Sequence, residues 1–210
     1  MRKPDDPRED PETLSDGRRA RGVRRRAELI GATLRVVERD GAAGVTHRTV
    51  AKEAGTPTSL ATYYFATLDD LLVAALTDVS ERYEHMLRAI LDRGHDELGG
   101  LAELVAAAAT DPGRGRALAE RELSTLAARR PALRGLAHGW RRQVAEIGRR
   151  YTADPTAIAA LVAAVDGLCA SVLLAETPPA TEWLRSVLAH AMGADVDSRA
   201  AGAGAHTSSS

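Results

Sequence analysis

Aromatic residues make up 3% of the 210-residue chain, with a single phenylalanine, so the interior must be built from aliphatic side chains. Cysteine occurs once, at Cys169, which excludes an intramolecular disulfide framework and any cysteine-rich zinc module. Lysine occurs only at Lys3 and Lys52, so basic charge is almost all arginine. Strand-favouring β-branched and aromatic residues are sparse beside Ala, Leu, Arg and Glu, which excludes an all-β fold. Neither sign of charge dominates: the net charge is −1, so nucleic-acid binding must come from a local patch. We read no run of about 20 apolar residues that would span a membrane. The charged, proline-rich start, Met1 to Asp16, has no apolar segment of a secretory signal, so the expected compartment is the cytoplasm. Hydrophobic residues at 44% and charged residues at 27% match a soluble globular chain of one or two domains.

What is present has a helical period throughout. The pattern predicts an all-α fold of about nine helices and no strand. Residues 1–17, with Pro4, Pro7 and Pro11 among charges, read as a disordered tail, as do the Ala-, Gly- and Ser-rich residues 195–210. Val23, Ala27, Ile30, Leu34 and Val37 form the stripe of a first helix. Thr46 is a good N-cap for a second, Gly55-Thr56-Pro57 breaks it, and a short third helix runs from about Thr58 to Tyr64. Thr67 with Asp69 and Asp70 caps a long fourth helix to about Arg93. Gly94 and Gly99-Gly100 read as a loop or weak boundary before a fifth helix from Leu101 to Ala109. A sixth covers about Arg116 to Arg129, and a seventh runs from Pro131 to Tyr151. The eighth, through Ile158, Leu161, Val165, Leu168 and Val172, is apolar on more than one face, and a ninth runs from about Ala180 to Met192.

Two short helices joined by a glycine-containing turn are the helix-turn-helix pattern, whose second helix enters the major groove of double-stranded DNA. The hydroxyls of Thr58, Ser59, Thr62 and Tyr63 suit phosphates or bases, and Thr and Ala methyls pack on thymine methyls. Ahead of the motif lies a positive cluster, Arg18, Arg19, Arg21, Arg24, Arg25 and Arg26, suited to phosphates or to an arm in the minor groove.

The stretch from Gly41 through Thr46 and Val50-Ala51 to Ala54-Gly55, followed by Tyr63-Tyr64-Phe65 and Leu71-Leu72, resembles the N-terminal domain of TetR-family transcriptional repressors. The resemblance covers about 50 residues with helix order and spacing intact. It implies a three-helix head over residues 18–66 and a ligand-binding and dimerisation domain over 67–194. Matched onto the family pattern, Thr46, His47 and Arg48 open the helix that crosses the DNA backbone. Thr58, Ser59 and Thr62 take base-facing positions, and Tyr63 a phosphate-contacting one. Two departures stand out. Phe65-Ala66-Thr67 lacks the lysine that usually follows the phenylalanine, which shifts phosphate grip to the Arg cluster, Arg48 and Lys52. Thr62 replaces the aromatic that usually precedes the tyrosine.

The resemblance further implies a small-molecule effector in a cavity among the middle helices and a homodimer formed through the last two. Candidate lining residues are Tyr83, Met86, Leu87, Leu123, Leu126, Trp140, Val144, Ile147, Val165 and Cys169, with Arg121, His138, Gln143 and Asp166 as polar contacts. Each is equally readable as plain core or exposed helix face. Trp140 is the aromatic that would stack a largely apolar ligand. The function implied is a repressor of a palindromic operator, released by that ligand. The alternative is an all-helical scaffold or partner-binding protein without DNA. There is no glycine-rich phosphate loop, nucleophile elbow or zinc-protease motif, and the six histidines have no ligand spacing, so no enzyme, metal or cofactor is expected.

Overall fold

The computed structural model describes residues 11–111 and 113–193; the side chains of residues 11–16 and 18 lie outside that description. Ten α-helices and two single 3-10 turns, at Ala42–Gly44 and Ala107–Ala109, make up the described residues, with no strand among them. α1 (Pro11–Asp40), α2 (His47–Glu53), α3 (Thr58–Tyr64) and the start of α4 (Leu68–Arg93) form the head. α5 (Glu97–Ala106), α6 (Gly113–Ala127), α7 (Pro131–Ala137), α8 (Gly139–Arg149), α9 (Pro155–Leu174) and α10 (Thr181–Ala191) form the body with the rest of α4.

Local chemistry explains the head. Thr46 and Thr67 each close a capping box, with Thr49 and Asp70, and so start α2 and α4. Gly55 takes φ +64 between α2 and α3, where a side chain would be strained. Leu29, Val36, Val50, Ala51, Ala61, Phe65, Leu71 and Leu72 close over one another. Arg35 and Arg39 of α1 both reach Glu53 of α2, at 2.7 and 2.8 Å.

Several expectations are corrected. α1 is already helical at Pro11, so residues 11–17 belong to it, not to a tail. Residues 1–10 and 195–210 lie outside the described residues. Val23 is 65% exposed and Ala27 is exposed, because α1 turns a different face to the head there, with Gly22 beside Tyr64 and Arg26 over the Phe65 ring. Gly99 and Gly100 sit inside α5, whose N-cap is Asp96. A Cβ on Gly100 would lie 2.9 Å from Ile90 Cγ2, so the glycine permits α5 to close on α4 and does not end a helix. The seventh helix divides at His138 into α7 and α8.

The expectation of no apolar run of about 20 residues is corrected at α9, whose 20 residues satisfy the length and composition of a membrane span. Leu161, Val165, Leu168, Val172 and Leu173 are buried in the body core against α5, α8 and α10, while the other faces of the helix are exposed or half-buried.

The packing does not divide at residue 66. Ala119, Leu123 and Ala127 of α6, with Leu133 and Ala137 of α7, belong to the same core as the head, and a second core lies among α5, α8, α9 and α10. α6 therefore buries one face against the head and another against the body.

Candidate functional site

The first candidate is the outer face of α2 and α3. Thr58, Ser59 and Thr62 are exposed, and Tyr63 is 79% exposed, its ring edge-on to Tyr64 at 5.1 Å. The Thr62 hydroxyl donates to the Ser59 carbonyl at 3.1 Å, which leaves its methyl as the group free to meet a base. Arg48 and Lys52 of α2 are exposed, and among the described residues neither forms an ion pair. His47 is placed differently from expectation. Its Nε2 lies 2.8 Å from the Phe65 carbonyl, so the ring braces α2 against the end of α3.

The basic cluster is helical, which disfavours the minor-groove arm of the two alternatives and leaves the phosphate contacts. Arg and Ala favour helix, and a helix of about 10 Å diameter does not enter a minor groove about 6 Å wide. Arg19, Arg21, Arg24 and Arg25 are exposed along α1. Arg25 pairs with Glu28 at 2.7 Å, and Arg26 stands 5.0 Å from the Phe65 ring centroid. Arg18 falls outside the described side chains.

The second candidate is a narrow cavity of about 30 Å³ inside the body, room for about one water as it stands. Of the candidate residues, Tyr83, Leu87, Trp140, Val144, Val165 and Cys169 line it, together with Arg121 and Asp166. Leu101, Leu104, Val105, Ala117 and Glu120 complete the wall and were not anticipated. Four expected lining residues are elsewhere. Leu123 and Leu126 are on the opposite face of α6, in the head-side core. Ile147 is fully buried core, and Met86 lies beside Arg116, its Sδ 3.5 Å from a guanidinium nitrogen. His138 opens onto a separate surface groove between α8 and α9. Gln143 is on neither wall.

The polar groups of the cavity are of two kinds. Asp166 is satisfied, since Arg121 reaches it at 3.2 Å and Arg141 at 3.3 Å. Glu120 has one hydrogen-bonded partner among the described residues, the Ser124 hydroxyl at 2.5 Å, and burial pushes its carboxyl above the usual range. Trp140 Nε1 is buried and has no partner, while the Arg141 guanidinium covers its ring at 4.7 Å. Burial pushes the Cys169 thiol up to about 12, so it stays protonated and unreactive near neutrality. No cluster of three or more His, Cys, Asp or Glu that would hold a metal occurs among the described residues.

The Glu120 environment has a consequence for stability. Its folded carboxyl binds a proton more tightly than its unfolded value of 4.5. Its stabilising contribution is therefore full below that value and is lost as pH rises through the folded value. Glu120→Gln is expected to raise the melting temperature at neutral pH, with the gain vanishing as pH falls into the ordinary carboxyl range. Thermal unfolding of both proteins across a pH series checks this.

A capped helix-turn-helix head on an all-helical body is the architecture of helix-turn-helix transcriptional regulators. Comparison with known proteins is consistent. Residues 93–194 match the family model described as tetracyclin repressor-like, C-terminal domain. A TetR-family member from Streptomyces coelicolor A3 is 42% identical, with TM-score 0.70, over 80% of this chain and 97% of that one. The multidrug binding protein EbrR, in complex with ethidium, is 42% identical, with TM-score 0.67, over 80% and 97%. The HTH-type transcriptional regulator BetI of Stenotrophomonas maltophilia (strain R551-3) is 35% identical over 82 residues, 39% of this chain and 42% of that protein. The match thus spans less than half the length of that curated relative. The chain belongs to the TetR family of transcriptional regulators, which are not enzymes.

Proposed function

We propose that the protein is a repressor that binds a palindromic DNA operator as a homodimer and is released by a small, largely apolar aromatic molecule. It acts where its operator is, in the cytoplasm. The observation that carries the DNA half is the exposed row Thr58, Ser59, Thr62 and Tyr63 on a head fixed by two capping boxes, flanked by the unpaired cations Arg48 and Lys52. Phosphate contacts come from these cations and from the α1 arginines, and base contacts from α3. Thr62 tests the division. Thr62→Val keeps the methyl and is expected to preserve sequence preference. Thr62→Ala removes it and is expected to cost about 1–3 kcal/mol at one position of each half-site. Competition binding against single-base operator variants measures both; equal behaviour of the two variants contradicts the methyl contact.

For the effector, an aliphatic cavity walled by Trp140 and Tyr83 suits a flat ring, and EbrR has been crystallised with ethidium, proflavin and malachite green. The cavity is nearly closed, so binding selects a form in which α4, α6 and α8 stand further apart. Two helices carry that separation to the head. α4 joins head and body directly. α6 presents Ala117, Glu120 and Arg121 to the cavity and Leu123 to the head core. Arg130, just beyond α6, pairs with Asp69 at the start of α4, and Glu122 accepts from the Ala42 amide at 3.4 Å. Trp140→Ala is expected to raise the ligand concentration needed for release about tenfold or more, the scale of one lost stacking contact. Titration of a preformed operator complex with ethidium measures it.

A further inference from the structure

We propose that the ion triad Arg121–Asp166–Arg141 is the door of the body cavity, and that the effector enters and leaves where these side chains part, between α6 and α8. This rests on the cavity being the effector site, as proposed above. Most of the cavity wall is helix packed on helix. α4 lies against α5, α6 and α8, α5 lies against α9, and α8 lies against α9. Parting these helices would expose the buried side chains Leu87, Leu101, Val105, Val144 and Val165 to water. The wall between α6 and α8 is built differently. α6 touches α9 lightly and α8 hardly at all, so side chains close the gap. Arg121 of α6 reaches the Asp166 carboxylate of α9 at 3.2 Å, and Arg141 of α8 reaches it at 3.3 Å.

The triad stands between two spaces. On its inner side, Glu120, Arg121 and Asp166 border the cavity. On its outer side, the same three residues with Ser124, Thr125 and Arg141 line a polar pocket of about 150 Å³ that opens to solvent. The side chains of the triad are 33 to 38% exposed, so water and salt reach them, and ion pairs of this kind hold weakly. The bridge parts first at Arg141. Arg121 also donates to the Asp166 backbone carbonyl, at 2.8 Å, and so stays with α9. Arg141 reaches Asp166 by a single contact and has partners on its own side, the Ala137 carbonyl at 2.8 Å and the Trp140 ring. The side chain that shuts the door therefore also lies on the aromatic wall behind it. Arginine side chains are long and freely jointed, so the bridge re-forms once a ring is inside.

Stopped-flow mixing of the full-length protein with acridone, a flat, uncharged and fluorescent ring, measures entry and exit; ethidium is a second probe of the same rates. Asp166→Ala breaks both arms of the triad. It is expected to raise the association and dissociation rates together by about three- to tenfold, the scale of exposed ion pairs, with affinity kept within about twofold. Arg141→Gln breaks one arm and is expected to move both rates the same way by less. Arg142→Gln, exposed on α8 beside the triad, is the control and is expected to leave both unchanged. In the wild type, raising salt from about 0.05 to about 0.5 M is expected to speed both rates of acridone as the triad is screened, and Asp166→Ala is expected to lose that response. Rates indifferent to salt and to both triad substitutions put the entrance elsewhere and overturn the door while leaving the cavity as the effector site. Faster dissociation alone in Asp166→Ala, with affinity lost in proportion, makes Asp166 a ligand contact and overturns the door as well. Failure of both rings to bind overturns the cavity reading and the door with it.

Discussion

Gly167→Arg is expected to leave the protein monomeric and to weaken binding to a two-half-site operator by about 100- to 10,000-fold, the range gained by tethering two modules. The reason lies on the outer face of α9. Ala159, Ala163, Gly167 and Ser171 recur every four residues and are all exposed, so they form one stripe of small side chains along an otherwise apolar helix. A Cβ on Gly167 would meet nothing within 4 Å in the single chain. At its end stand Leu174, 85% exposed, and Trp183 of α10, 53% exposed, where an apolar surface would otherwise face water. A twofold pairing of α9 and α10 covers all of these at once and lets two backbones approach closely. An arginine at position 167 puts bulk and charge in the centre of that contact. Gly135→Arg on α7, where a Cβ also has open space, is the control and is expected to leave the dimer intact. Sedimentation velocity and operator titration on the two variants measure the effect.

Phe65→Ala is expected to destabilise the protein by about 3–5 kcal/mol and to abolish operator binding. The ring is the largest fully enclosed side chain of the head and sits where α3 ends and α4 is about to start. It packs in one cluster with α1, α2 and α4, and Arg26 rests on its face. Because α6 and α7 share this core, the loss is also expected to reach the body. Denaturant unfolding followed by helix signal and by tryptophan fluorescence measures it; a change below about 1 kcal/mol would mean that the site collapses without cost.

The head was the part most legible in sequence, for a local reason. Thr46, Gly55 and Thr67 fix caps and a turn through atoms within three residues of themselves, so their roles do not depend on distant packing. The cavity was legible only in part. Tyr83, Trp140, Val144, Val165 and Cys169, named as candidates under the family resemblance, border the cavity. Periodicity states which face of a helix is buried but not against what. α6 buries two faces, and Leu123 and Leu126 fell on the one that meets the head. Glu120 was overlooked because a glutamate among charged neighbours reads as solvent-exposed. Its position one turn after Ala117, which also lines the cavity, is the signal that would have placed it on the inner face. Gly100 was misread because a glycine that admits a neighbouring helix has the same letter as one that ends a helix.

The central claim, that α3 reads a palindromic operator from a twofold dimer, is tested most directly by selecting sites from a random duplex library with the purified protein. The account predicts an enriched palindrome with half-sites about one helical turn, or a multiple of it, apart. It predicts that occupancy falls steeply with salt and that preference within each half-site changes when Ser59 or Thr62 is replaced. Enrichment of no site, or of a site without twofold symmetry that is indifferent to those replacements, would contradict it.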